Sequence, residues 1–322
     1  MKKTLIASAI AAVAFSGTAM AQESNLPSVY GNIQYAVMYQ DVDGGNSSIE
    51  HLDNGSTLGV THNHEVAPGI TGFFKLELEG IGADDKAASN GISSLDEAYI
   101  GIKGDSFGQI WVGSDDSRYE DAISKISNYW EAIGSGTNTG HDTGEGDLVQ
   151  YSSPSFGGLT LSGAVQINGD GDARSNKKSY PYQLAATYSV DSLELAVAMD
   201  SNDGGNSYSS TGPSVNNENT YGLRATYAAG DLSLTGSFQT RKDVADAFGL
   251  LATYTMGANR FALGYGFVDA DSGTEGSTIS AQALHNLSSN MYVYVEGQLA
   301  NVDTGVTDTD ASALAVGATY YF

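Results

Sequence analysis

Residues 159–168 read Leu159-Thr160-Leu161-Ser162-Gly163-Ala164-Val165-Gln166-Ile167-Asn168, with apolar residues or glycine at the odd positions and mostly polar ones between. A period of two sends alternate side chains to opposite faces of an extended strand. The scheme recurs in Tyr221-Gly222-Leu223-Arg224-Ala225-Thr226-Tyr227, in Leu232–Phe238 and in Phe261–Phe267. One face is continuously apolar; the other carries Gly, Ser, Thr, Gln and Arg. A soluble sandwich and a membrane barrel share this alternation, so the connections must choose between them.

Short turns alternate with long polar segments. The short ones fall at 67–69, 105–107, 154–156, 191, 229–230, 257–258 and 288–289. Longer ones fall near 41–55, 81–93, 115–146, 170–179, 201–217, 242–246, 270–276 and 303–311. Together they join sixteen strands. An even strand number, with short turns at one end and long loops at the other, predicts an all-β fold: an antiparallel transmembrane barrel of sixteen strands. Lipid offers backbone groups no hydrogen bonds, so a sheet crosses a bilayer only when closed. The apolar face then meets lipid and the polar face lines a lumen.

Composition narrows the classes. The 322 residues include no cysteine, which removes disulfide scaffolds, thiolate metal sites and cysteine nucleophiles. Glycine (40) and tyrosine (19) are abundant, and 14 Lys+Arg against 38 Asp+Glu give a net charge of −24. Phosphate neutralisation needs a basic footprint, so nucleic acid is excluded as a partner. Lys2 and Lys3, the apolar run Leu5–Phe15 and Ala19-Met20-Ala21 form a secretory signal peptide over 1–21, leaving 22–322 as one barrel domain. No later stretch is apolar enough for a transmembrane helix. Tyr30, Tyr39, Tyr151, Tyr188, Tyr227, Tyr254 and Tyr320 stand near strand ends, as in interfacial girdles.

The chain ends Leu314-Ala315-Val316-Gly317-Ala318-Thr319-Tyr320-Tyr321-Phe322. A final strand with Tyr320 and terminal Phe322 resembles the assembly signal of outer-membrane barrels. Further segments resemble the general porins of Gram-negative bacteria: Val29-Tyr30-Gly31-Asn32-Ile33, Gly72-Phe73-Phe74-Lys75-Leu76-Glu77, Ala98–Gly104 with Phe107-Gly108 and Val112-Gly113, and most specifically Val149–Leu159. The resemblance covers the mature chain. It implies a homotrimer set in outer-membrane lipid and lipopolysaccharide, passing small hydrophilic solutes and ions passively. It also implies that the third long loop, about 115–146, folds inward and narrows the lumen. Ala122, Ile123 and Ile126 within Tyr119–Trp130 predict a short helix there.

That loop carries Asp115, Asp116, Glu120, Asp121 and Glu131, the expected pore-constriction residues, with Arg118 and Lys125 opposing them. Members of the family often line the facing wall with arginines. Here Thr57, Thr61, Asp96, Ser114, Gln150 and Ser152 stand at or near those positions. Strand parity adds Lys75, Glu77, Glu79, Glu97, Lys103 and Arg224 to Asp96 and Gln150 as the expected lumen wall, with Arg241 and Arg260 as further basic candidates. Carboxylates in a low-dielectric channel focus negative potential, and the Debye length of about 10 Å at ~0.1 M salt is comparable to a pore radius. The expectation is a cation-preferring pore whose selectivity weakens as salt rises. Salt adaptation is an alternative source of the same acidity.

Other constellations carry less. His62 and His64 share a strand face predicted to point outward, without the further ligands a metal site needs. Asp41-Val42-Asp43, Asp170-Gly171-Asp172 and Asp200–Gly205 resemble fragments of calcium loops, but none completes the spacing. No nucleophile elbow or phosphate-binding glycine loop occurs, so no enzyme activity and no cofactor are expected. The rival readings are a substrate-selective porin for sugars or small organic acids, an adhesive surface barrel, and a soluble secreted sandwich such as a lectin. Trp111, Trp130, Tyr129 and Tyr99 are the aromatic candidates for a sugar path.

Overall fold

The computed structural model describes residues 26–87, 89, 91–92, 94–167, 180–203 and 218–322. The signal peptide at 1–21 and the fragment at Asp170 and Asp172 lie outside the described residues.

The described chain forms β1 (Ser28–Val42), β2 (Ser48–Leu52), β3 (Thr57–Ala67), β4 (Ile70–Glu79), β5 (Ser94–Gly104) and β6 (Gly108–Ser114), then helix α1 (Arg118–Ile123). It continues with β7 (Leu148–Ser152), β8 (Leu159–Gln166), β9 (Tyr182–Val190), β10 (Leu193–Asp200), β11 (Thr220–Ala229) and β12 (Leu232–Arg241). The last strands are β13 (Ala245–Met256), β14 (Asn259–Ala270), β15 (Thr274–Asn286), β16 (Met291–Asp303) and β17 (Asp308–Tyr321). Every pairing among the described strands is antiparallel; most join neighbours in sequence, and β1 pairs with β17 from Asn32↔Tyr321 to Val42↔Ala311. The sheet therefore closes on itself. β2 pairs with β1 at Ala36–Gln40 and β3 pairs with it at Ser28–Asn32. These two strands are one stave interrupted at 53–56, so seventeen strands make sixteen staves. Asp53 ties the interruption down by accepting from the N–H groups of Gly55 (3.0 Å), Ser56 (2.7 Å) and Ala83 (2.8 Å).

Burial alternates along each stave and sorts the two faces. In β13, Ala245, Ala247 and Leu251 are buried while Phe248 and Leu250 are exposed. The exposed set is the lipid face: Val197, Leu223, Leu263, Ile279, Leu299 and Leu314 all belong to it. No described helix is long and apolar enough to cross a membrane; the strands do the crossing.

The structure corrects three expectations. The connections near 242–246 and 270–276 are turns of only three residues, 242–244 and 271–273. Asp243 (φ 58°) and Gly273 (φ 84°) reverse the chain in the left-handed region, so pairing continues to Arg241↔Ala245 and Ala270↔Thr274. The helix in the long loop is shorter than its apolar spacing predicts: it ends at Ile123, Ile126 follows in a turn, and Trp130 lies in irregular chain beyond it. Tyr30 does not join a girdle. It shares its parity with the buried Asn32 and Gln34, and its hydroxyl donates to Glu77 inside the barrel (2.5 Å). Tyr39, Tyr151, Tyr188, Tyr227, Tyr254 and Tyr320 are on the outer face.

Candidate functional site

Between β6 and β7 the chain leaves the wall and packs against inward-facing side chains of the far staves. Ser117 caps α1, accepting from the Glu120 N–H (3.2 Å). Tyr119, Ala122 and Ile123 bury themselves on Ala185, Ala196 and Ala198 of β9 and β10. Ile126, Trp130 and Ile133 settle on Leu251 and Ala262 of β13 and β14. The wall is small where the loop is large. A Cβ on Gly222 would meet Ile123 at 2.6 Å, and one on Gly264 would meet Trp130 at 2.5 Å. The seat is also polar. Gln183 accepts from the Arg118 N–H (2.8 Å), Gln239 accepts from the Tyr119 hydroxyl (3.0 Å), and the Arg224 Nε donates to the Ala122 carbonyl (2.6 Å).

Glu296 holds the far end. This fully buried carboxylate on β16 accepts from the N–H groups of Glu131 (2.7 Å), Ala132 (2.8 Å) and Ile133 (3.2 Å), and from Gln282 Nε2 (2.8 Å). A buried charge demands such partners. Glu296 was not singled out by sequence reasoning. The available signal was parity: it shares a face with Tyr292 and Tyr294 in Met291–Asp303.

With the loop seated on β9–β17, open space of about 330 Å³ remains against the opposite wall. Lys75, Glu97, Tyr99, Lys103 and Trp111 line it from the wall, and Asp115, Asp116, Arg118 and Asp121 from the loop. The expected constriction residues therefore divide. Asp115 accepts from Trp111 Nε1 (2.7 Å), Gln150 Nε2 (3.0 Å) and Arg118 (3.0 Å), so its charge is tied into the frame. Asp121 pairs with the other end of the same guanidinium (2.8 Å). Glu120 faces away, accepting from Asn128 Nδ2 (2.8 Å), and Glu131 is buried against the far wall, accepting from the Tyr292 hydroxyl (2.9 Å).

Asp116, half-buried at the edge of the space, is the remaining one. Burial, then the carboxylates of Glu97, Asp121, Asp115 and Glu145, push its carboxyl up to about 9. Burial also raises the Asp121 carboxyl against the pull of Arg118. On the wall, Lys75 bridges Glu97 and Glu77 (3.5 Å to the latter). A β-bulge shifts the register between Glu77 and Leu78, with Asp96 as the extra residue, and its side chain hydrogen-bonds with Glu77. Lys103 donates to Asn63 (3.2 Å) and sits over the Phe73 ring. Arg224 pairs with Glu194 (2.7 Å) under the helix. Glu79 keeps the inward parity of Glu77 at the end of β4 and does not border the space. At the closure, the Phe322 N–H and carbonyl exchange hydrogen bonds with Gly31 (3.1 Å each), while the Tyr320 ring is exposed on the outer face. No group of three metal-ligating side chains occurs among the described residues.

A closed barrel with a lipid-facing exterior, a polar interior and a loop laid across the lumen defines a membrane channel. The comparisons say which kind. A Gram-negative porin family model matches residues 7–305, and the chain belongs to that family; it is an outer-membrane channel protein and not an enzyme. A monosaccharide porin from Halomonas sp is 30% identical, aligned over 100% of both chains. Among solved structures, OmpF of Salmonella typhi superposes with a TM-score of 0.73 at 17% identity, over 93% of this chain and 98% of that one. An anion-selective porin from Comamonas acidovorans superposes with a TM-score of 0.69 at 19% identity, over 92% and 99%.

Proposed function

We propose that this porin is a trimeric general-diffusion channel, narrowed by the segment 115–146, that passes small hydrophilic solutes and prefers cations. The observation that carries this reading is the open space between loop and wall. Its border holds four carboxyl groups, Glu97, Asp115, Asp116 and Asp121, against Lys75, Lys103 and Arg118. With Asp116 protonated near neutral pH the other three carboxyls balance the three cations, so the negative bias there comes from the −24 of the whole chain, and the local excess appears as Asp116 ionises. The preference is therefore modest near neutral pH and fades as salt screens it. Trimeric assembly rests on relatives such as an OmpT of Vibrio cholerae described in trimer form. The acidic loops that remain outside would meet lipopolysaccharide, and Phe322 would serve as the assembly signal.

The test is the reversal potential of reconstituted channels under a potassium chloride gradient. Potassium preference that declines with salt supports the reading; chloride preference overturns it. A second reading is a sugar-selective pore. It is favoured by the Halomonas relative named a monosaccharide porin and by Trp111, Tyr99 and Phe73 bordering the same space. Liposome swelling separates the two: sugar flux that saturates would favour selectivity, and linear flux general diffusion.

A further inference from the structure

His141 lies on the returning limb of the long loop, between two buried carboxylates. Its Nε2 is 3.7 Å from Glu120 Oε2 on α1, and its Nδ1 is 3.8 Å from Asp200 Oδ2 at the end of β10. Its ring packs on Tyr119, with centroids 5.2 Å apart. Asp200 has no exposure, and Glu120 is nine-tenths buried. Both acids already accept hydrogen bonds, Asp200 at both oxygens and Glu120 at Oε1. Asp200 accepts from Thr143 (2.7 Å), Gln183 (2.8 Å) and the Asn202 N–H (2.7 Å), and Glu120 Oε1 accepts from Asn128. Glu120 Oε2 and the Oδ2 that Asp200 shares with Gln183 face the imidazole. Yet Nδ1 is buried with no hydrogen-bond partner.

A neutral imidazole has one N–H and one lone pair; a protonated one has two N–H groups. Between two carboxylates the neutral ring satisfies one side and turns a lone pair toward the other, an arrangement that leaves a buried polar atom unmatched. The protonated ring matches both. The other charged pair nearby is already made: Asp142 is bound by Arg241 (2.6 Å). Asp203 is the remaining carboxyl in the neighbourhood, acting through Asp200.

We infer that His141 is a positioning residue for the loop, a charge clamp that when protonated joins α1, the returning limb and the β10 wall, and that loosens when it loses its proton. Three pieces of chain distant in sequence converge at this ring, beside the packing of α1 on β10 and the Thr143–Asp200 hydrogen bond, so the clamp holds the outgoing and returning limbs of the loop to one stave. The inference rests on the reading of 115–146 as the constriction only for its effect on current; the clamp itself is a matter of loop order.

The experiment measures both. Hydrogen exchange of the amides of 118–133, corrected for intrinsic rates, is followed in the detergent-folded channel at about pH 5.5 and about pH 8, a window in which histidines as a class change charge. The same samples go into planar bilayers for recordings of voltage-induced closure. The wild-type loop is expected to be roughly tenfold more protected on the acid side, the size of one charge-assisted hydrogen bond, and to close less readily there. His141→Gln, whose carboxamide is neutral at both values and offers N–H donors on one side only, should abolish the difference in both readouts, and His141→Lys should hold the acid-side behaviour at both values. Heat-modifiable migration in gels confirms that each variant is folded. If His141→Gln folds and keeps the full pH difference in exchange, the clamp is wrong. If exchange responds to pH and to the variant while currents do not, the clamp stands and the constriction reading fails.

Discussion

At the scale of single residues, Asp116 sets the pH behaviour of the space beside the loop. Its neighbours Arg118 and Lys75 are taken by Asp115, Asp121, Glu77 and Glu97. An acid raised in the folded state from its ordinary 3.8 to about 9 stays protonated there while the unfolded chain has already ionised. The folded state then binds more protons, so this group's contribution favours folding most on the acid side and declines as pH rises toward about 9. Two outcomes follow. Cation preference should increase between about pH 7 and about pH 10 as the charge appears, read from reversal potentials. Asp116→Asn should remove that step and flatten the same limb of the stability profile in thermal melts. Glu296 is a different kind of acid, one whose four donors leave it no role toward solute. Glu296→Gln replaces an acceptor facing backbone N–H groups with a carboxamide that can match only part of them. The expected cost is about 1.5–3 kcal/mol of loop anchoring, seen as noisier single-channel currents with an intact barrel.

At the scale of elements, the loop and the wall beneath it are one packing problem. The apolar stripe Tyr119, Ile123, Ile126, Trp130 has a matching row of alanines and glycines on β9–β11, β13 and β14. Gly264→Ala places a methyl 2.5 Å from the Trp130 ring. Overpacking of this kind costs about 1–3 kcal/mol. The expected result is a displaced loop, altered conductance, and unchanged heat-modifiability because the outer face is untouched. Much of this level was legible in the sequence. The turns at 67–69, 105–107, 191 and 257–258 follow from their turn residues, and the loop's apolar spacing marks a helix. The extent of that helix was not legible. It stops at Ile123 because the chain must then follow the wall from β11 to β16, which only the wall's position dictates. The turns at 242–244 and 271–273 looked longer because polar residues such as Asp246 and Glu275 sit within paired strand ends.

At the scale of the whole molecule, closure is the decisive event. The β1–β17 pairing leaves no free edge, and the Phe322–Gly31 hydrogen bonds end it. Gly31 is required by close approach: a Cβ there would stand 2.5 Å from the Thr57 carbonyl and 2.7 Å from the Phe322 ring. Deleting Phe322 should lower the yield of heat-modifiable barrel in outer membranes while leaving export intact, measured by fractionation. The charge of the molecule acts at this scale too. Raising salt from about 0.1 M to about 1 M shortens the Debye length from about 10 Å to about 3 Å, so cation preference should fall steeply across that range. The sequence by itself determined the barrel, its strand number, its faces and its lipid exterior, because the period-two pattern and the placing of turns are local and bilayer physics leaves one solution for them. It also marked the loop and most of its acids. Only the tertiary structure decided which of those acids border open space, because the division among Asp115, Asp116, Asp121, Glu120 and Glu131 depends on partners up to 165 residues distant, such as Glu296 and Tyr292, that meet the loop only once the sheet has closed around it.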